Sequence, residues 1–334
     1  MTSIAITGGA GFVGSQLGYA FHNLGYQVKL IDNMSYGKLD NLLIDGKTFG
    51  EFIGMDIRSP NLVNVFKDVD YVFHFAAIAP LPECQTFPYG AIDNNVSGTA
   101  NVLEAARLNG VKKVIFASTS AIYENNSKFP LEESDETKPS LIYATTKKQS
   151  EQLCESFNKC YGLDYTILRF FNVYGPHQDF RRKQPPLIGY IIKQLLLDEK
   201  PILHSDGEQK RDYIYIDDVV SICKEVMTDP KSSREVFNVA SGNAYSVKEI
   251  YEIIARRMDK SIHPVYRSSS LFWDKYPNLK EGKLPLKEEI LEKEVNKFSL
   301  GSNQKAKEIL GWAPLISLEE GLNRSVDYAV TLGV

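Results

Sequence analysis

The chain has 334 residues, of which 43% are hydrophobic and 24% charged, and a formal net charge of −4. That length buries a sizeable core in one large domain or two, and the balance is ordinary for a globular enzyme. No dense basic stripe and no apolar run of membrane-spanning length appears, which argues against a nucleic-acid partner and against a membrane.

Ile4-Ala5-Ile6 reads as a strand, followed at once by Thr7-Gly8-Gly9-Ala10-Gly11-Phe12-Val13-Gly14. Glycines at 8, 11 and 14 allow a tight turn, a close approach to a pyrophosphate and helix–sheet packing, and the helix they open points free N–H groups at phosphate. A core strand at the very start argues against a signal peptide. Val28-Lys29-Leu30-Ile31 is a second strand ending at Asp32. A carboxylate there accepts hydrogen bonds from ribose hydroxyls and repels a 2′-phosphate, which favours NAD over NADP.

Val69-Asp70-Tyr71-Val72-Phe73-His74-Phe75 is a buried strand, residues 99–108 an alanine-rich helix stopped by Asn109-Gly110, and Val114-Ile115-Phe116-Ala117 the next strand. A long helix spans 141–161, and Asp164-Tyr165-Thr166-Ile167-Leu168-Arg169 is a further strand. This alternation predicts an α/β fold, a doubly wound parallel sheet of Rossmann type. Around Gly175-Pro176 the chain turns loop-like, with Arg181-Arg182-Lys183 and Pro185-Pro186, and a smaller, mixed α/β region begins. Phe237-Asn238-Val239 reads as a strand rejoining the main sheet, and 266–296 as a charged, irregular stretch. Cys84, Cys154, Cys160 and Cys223 show no metal spacing. They read as free thiols in a reducing cytoplasm, and no metal site is expected.

Tyr143 and Lys147 stand four apart on one helix face. An ammonium and the positive nicotinamide ring would draw down a phenol pKa that is otherwise near 10, making Tyr143 a base. A second such pair, Tyr276 and Lys280, has Pro277 between its members, which a helix interior resists. The Ser118-Thr119-Ser120 cluster precedes Tyr143 at the C-terminal edge of a parallel strand, where doubly wound folds bind ligands.

With these features the chain resembles the extended short-chain dehydrogenase/reductase family, and within it the NAD-dependent nucleotide-sugar epimerases and dehydratases. The resemblance also rests on Asp56-Ile57, Phe75-Ala76-Ala77, Asn95-Val96-Ser97-Gly98-Thr99, Arg169-Phe170-Phe171-Asn172-Val173-Tyr174-Gly175-Pro176, residues 206–219 and Leu310-Gly311-Trp312. It implies that Gly8, Gly11, Phe12 and Val13 line the NAD pyrophosphate, Asp32 and Asn33 the ribose, and Asp56 and Ile57 the adenine. Phe75, Ala76, Ala77, Asn95 and Ser118 would also border the cofactor, with Phe171 against the nicotinamide. Thr119, Tyr143 and Lys147 would be catalytic, Lys147 also holding a ribose. Thr119, Ser120, Asn172, Arg211 and Ser299 would meet a nucleotide-diphosphate sugar. Residues 1–175 with a returning segment at about 211–244 would hold NAD, and 176–210 with 245–334 the nucleotide sugar. A homodimer through the helices at 99–108 and 141–161 is implied as well.

Two departures refine the reading. Family 4,6-dehydratases carry an Asp-Glu pair after the threonine, and this chain has Ser120 and Ala121, which exchange no proton as a carboxyl does. This favours a 4-epimerase acting through a transient 4-keto sugar over a dehydratase, a decarboxylase, a dehydrogenase or a non-catalytic NAD-binding regulator. A second phosphate-clamping arginine expected near the C-terminus is missing; Lys280, Lys283 or Lys287 could replace it. Ser299 aligns with a position whose bulk excludes N-acetyl sugars in related 4-epimerases, so its small side chain implies a roomier pocket.

Overall fold

The computed structural model describes residues 1–44, 46–180 and 185–332; Arg181-Arg182-Lys183 lies outside them. The first half winds as the alternation predicts: β1 (Ser3–Thr7), α1 (Phe12–Asn23), β2 (Gln27–Asp32), β3 (Glu51–Gly54), β4 (Tyr71–His74), α2 (Gly98–Leu108), β5 (Lys113–Thr119), α3 (Ile142–Tyr161), β6 (Tyr165–Phe170). Further on come β7 (Asn172–Tyr174), α4 (Leu187–Leu196), β8 (Lys210–Tyr215), α5 (Ile216–Thr228), β9 (Glu235–Val239), β10 (Ala244–Ser246), α6 (Val247–Arg257), α7 (Glu288–Val295) and α8 (Leu318–Thr331). Seven parallel strands form the main sheet in the order β9-β6-β5-β4-β1-β2-β3. The order reverses between β1 and β4, and doubly wound sheets bind ligands at the carboxyl ends beside such a reversal.

Apolar side chains bury both faces, as parallel strands require. Leu17, Phe21, Val219 and Ile222 pack on one face, with Val102, Leu103, Ala106 and Cys154 on the other. The strand expected over 69–75 is shorter, because the chain after His74 turns across the glycine loop. A Cβ on Gly8, whose φ is +71°, would lie 2.9 Å from Ala76 N. As expected, Phe237-Asn238-Val239 rejoins the main sheet through β9. By contrast β8 pairs with β7 and β10 in a separate three-stranded sheet.

The 266–296 stretch is more ordered than its charge suggests. Trp273, Leu279, Leu291 and Val295 form a small apolar cluster, and Leu81 from the first half packs against it. The Trp273 indole donates to Leu291 O at 3.1 Å, seating α7 over the carboxyl ends of the sheet.

Helix α3 buries Lys147, Ser150 and Glu151 along with Ala144 and Cys154. Arg169 of β6 grips Glu151 with two hydrogen bonds, 3.0 Å from Nε and 2.9 Å from Nη2, and Ser118 of β5 donates to the same carboxylate at 2.6 Å. Removing one partner of a buried pair strands the other charge in the core. Glu151→Ala is therefore expected to lower unfolding stability by about 3–5 kcal/mol. Denaturant titration checks this, and a loss below about 1 kcal/mol, the scale of an exposed pair, would count against it.

Candidate active site

The residues singled out in sequence meet at the carboxyl ends of β5 and β6. Thr119 ends β5, and its Oγ1 accepts from Ala121 N at 3.1 Å. Tyr143, in the first turn of α3, lies beside the Thr119 side chain, which favours the ionised phenol. The head of α3 is fixed from two sides, since Ile142 N donates to Gln85 Oε1 (2.6 Å) and Leu141 N to Glu124 Oε2 (3.1 Å). One turn along, Lys147 Nζ donates to Ala117 O at 2.7 Å and lies over the Phe116 ring. Burial pushes the Tyr143 phenol up to about 12, against the lowering effect of Thr119, and burial holds Lys147 down at about 8. Desolvation governs both groups.

The glycine turn lies beside them. A Cβ on Gly14 would sit 2.2 Å from Gly8 O, so the turn closes only with glycine there. Gly11 is the N-cap of α1, no side chain caps it, and no acidic residue occupies the first turn, which leaves N–H groups at Phe12 and Val13 for an anion. Asp32 ends β2, its carboxylate fixed by Ala10 N (3.1 Å) and Met34 N (2.8 Å), with lone pairs left for hydroxyl donors. Asn33 donates to Asp56 at 2.9 Å. Arg58, which sequence reasoning missed, grips Asp56 and Asp93 and holds the Asp56 carboxyl well below the usual range. Ile57 is buried against Gly98.

Two residues expected beside the cofactor also brace the fold. The Asn95 side chain binds both backbone groups of Ile78 (2.8 and 3.1 Å) and Thr146 Oγ1 (3.1 Å), so its amide tethers the segment after Ala77 to α3. The Ser118 hydroxyl is engaged by Glu151. A third brace was not anticipated. His74 spans Thr7 Oγ1 (2.7 Å) and Thr99 Oγ1 (2.9 Å). Thr99 donates its own proton to Asn95 O, so His74 must donate from Nε2 and accept at Nδ1. Burial pushes His74 down to about 3 and keeps it neutral.

Thr119, Ser120, Tyr143, Asn172, Arg211 and Ser299 all border one cavity of about 170 Å³, and Phe171 forms part of its wall. Asn172 donates to Asp212 O at 2.8 Å. Asp212 is fully buried, and its carboxylate gathers Ser241 N, Gly242 N and Gly301 N, which fixes the loop after Ser299 beside β8. Burial outweighs these bonds and raises Asp212 to about 6. Arg211 reaches the cavity, but its Nη2 donates to Glu294 O at 2.5 Å. Neither Lys280, Lys283 nor Lys287 borders the cavity; Lys280 is tied to Ser270 O and Asp274, while Lys283 and Lys287 are exposed. Glu294 and Lys297 border it instead. Among the described residues no group of three His, Cys, Asp or Glu side chains could hold a metal ion, and no helix is long and apolar enough to cross a membrane.

Residues 4–240 match the NAD dependent epimerase/dehydratase family. The chain belongs to that family. Its cofactor is NAD, and the uncapped α1 terminus with the fixed Asp32 carboxylate suits a dinucleotide. The chain is similar to a putative UDP-glucose 4-epimerase of Methanocaldococcus jannaschii, at 31% identity over 97% of each chain. It is equally similar, at 31% identity over 97% of this chain and 96% of the relative, to a UDP-N-acetyl-alpha-D-glucosaminuronate decarboxylase of Bacillus cytotoxicus. Among solved structures, the UDP-glucose 4-epimerase of Thermotoga maritima with UDP-glucose superposes with a TM-score of 0.87, at 33% identity and 99% coverage of both chains. The expected contact of Asp32 with the ribose is tested by Asp32→Asn, which on that expectation loses NAD affinity about tenfold and discriminates less against NADP. Fluorescence titration with NADH and NADPH reads both effects; unchanged affinity and preference would remove Asp32 from this role.

Proposed function

We propose that this family member is a nucleotide-sugar 4-epimerase acting on UDP-glucose/UDP-galactose or a UDP-N-acetylhexosamine. The observation that carries the reading is that Tyr143 and Thr119 border one cavity, beside two positions, Ser120 and Ala121, that hold no carboxyl. A dehydratase or decarboxylase needs further acid–base groups on the sugar, and these positions offer none.

Tyr143 takes the proton of the sugar C4 hydroxyl through Oη, with Thr119 holding the reacting oxygen. NAD, when bound, supplies the hydride acceptor and donor at C4 and a positive charge that favours the phenolate. Lys147, fixed on Ala117 O, keeps a second positive charge one helical turn from Tyr143. The resulting 4-keto sugar turns over while Asn172 and Arg211 retain the diphosphate, so that the opposite face of C4 receives the returning hydride and Tyr143 returns its proton to the C4 oxygen. The small Ser299 side chain leaves space for an N-acetyl group. In this reading 1–175 with about 211–244 holds the cofactor, and 176–210 with 245–334 the sugar nucleotide. A cytoplasmic setting suits four cysteines that are all free thiols.

Incubation with UDP-glucose and UDP-N-acetylglucosamine, followed by chromatography and mass spectrometry, tests the reading. Products of unchanged mass with no net NADH are expected, and loss of water or carbon dioxide would overturn it. Tyr143→Phe is expected to cut turnover on the order of 10²–10⁴-fold while retaining NAD.

The same reading includes a homodimer through α2 and α3. Leu108, Tyr161, Phe87 and Tyr89 are large apolar side chains exposed on or just before these helices, and a second copy would cover them. Light scattering is expected to give twice the chain mass, and Tyr161→Glu to weaken the dimer. A monomer at micromolar concentration would refute it.

A further inference from the structure

Three charged side chains border the cavity beyond Asn172: Arg211, Glu294 and Lys297. The Glu294 carboxylate stands between the two cations, with Oε1 3.6 Å from Arg211 Nη1 and Oε2 3.7 Å from Lys297 Nζ. All three side chains are largely buried, at 23%, 18% and 15% exposure in the order Arg211, Glu294, Lys297. Charges with so little water need counter-charges, and Glu294 serves both cations.

The contacts are loose. Charge-assisted bonds of full strength close to about 2.7–2.9 Å, and these two pairs do not. Arg211 itself is anchored elsewhere, since Nη2 donates to Glu294 O and Val295 O, the carbonyl end of α7, where the helix dipole favours a cation. Lys297 follows two residues later, and Ser299 N then donates to Lys210 O at 3.1 Å, tying the segment to the strand that carries Arg211. The Arg211 guanidinium is therefore held by carbonyls independent of the Glu294 carboxylate, and the backbone that carries Lys297 is tied to the same strand. With that carboxylate turned away, the wall carries two positive charges, which matches the two negative charges of a sugar diphosphate.

We propose that Arg211 and Lys297 form the diphosphate clamp of this chain, and that the Glu294 carboxylate is a resident anion which the incoming diphosphate displaces. This rests on the nucleotide-sugar reading above. Lys297 takes the place of the absent second arginine, and binding is an exchange of one anion for another on a fixed pair of cations. Two opposite consequences follow for neighbouring residues. Loss of Lys297 weakens binding, whereas neutralising Glu294 removes a competitor and strengthens it. A Glu294 that touched the sugar directly would show the reverse sign.

Calorimetric titration of the NAD-loaded enzyme with UDP reads both. Lys297→Met is expected to weaken UDP binding about tenfold or more, Lys297→Arg to restore most of it, and Glu294→Gln to tighten it several-fold. Bound NAD, measured after release from each variant, is expected to stay at the wild-type ratio, which separates a local change from misfolding. Unchanged UDP affinity in Lys297→Met, or weaker affinity in Glu294→Gln, would overturn the clamp while leaving the nucleotide-sugar reading intact. Failure of the wild-type holoenzyme to bind UDP, CDP, GDP or dTDP would overturn both.

Discussion

The structure depends on how α3 carries charge into the core. Glu151 and Arg169 are almost without solvent, and such a pair persists only when geometry is good and the remaining lone pairs are used. Both conditions hold, because Arg169 binds in two places and Ser118 takes a further position on the carboxylate. The three residues come from β6, α3 and β5, so one cluster locks a helix to two strands. Two further contacts run in the same register, Lys147 on Ala117 O and Tyr143 on Thr119. Helix positions four residues apart thus each meet a residue at the end of β5, at 119, 117 and 118. A rotation of α3 by one residue, about 100°, would break all three contacts together.

On the proposed reading, cofactor and substrate sides are built differently. The dinucleotide side is local: a turn, a helix terminus and Asp32 lie within the first two strands, braced from behind by His74 between Thr7 and Thr99. The cavity wall is assembled from 119–121, 170–172, 211 and 294–299. These segments are joined through Asp212, whose carboxylate collects N–H groups from two separate loops.

This difference decides what could be read from sequence. Gly8, Gly14, Asp32 and the Tyr143/Lys147 pair obey fixed short spacings, so their placement followed from periodicity and turn chemistry. The parallel sheet was equally legible, because its main strands are apolar runs between turn signals. Asn95 and Ser118 have protein partners that no local pattern indicates, since an amide or hydroxyl serves whichever neighbour the tertiary structure supplies. Glu294 and Lys297 lie in a run of alternating charge that resembles a solvated face. Packing of Leu291 and Val295 with Trp273, Leu279 and Leu81 turns that run inward, and the contact of Arg211 with Glu294, across 83 positions, leaves no local pattern.

Two of the molecule's arginine–glutamate pairs, Arg169–Glu151 and Arg211–Glu294, differ physically rather than chemically. At Arg169–Glu151 the separation is 2.9 Å and water is excluded, so no ligand can compete for either member. At Arg211–Glu294 the separation is 3.6 Å, and the pair borders an open cavity. A phosphate oxygen brings the same charge as a carboxylate with more acceptor positions, and it meets a guanidinium whose position is already set by two carbonyls. The first pair is therefore a rivet of the fold. The second, on the proposed reading, is a loosely occupied site that yields to one kind of anion, and the strength of the Glu294 contacts when empty limits how firmly the substrate is held.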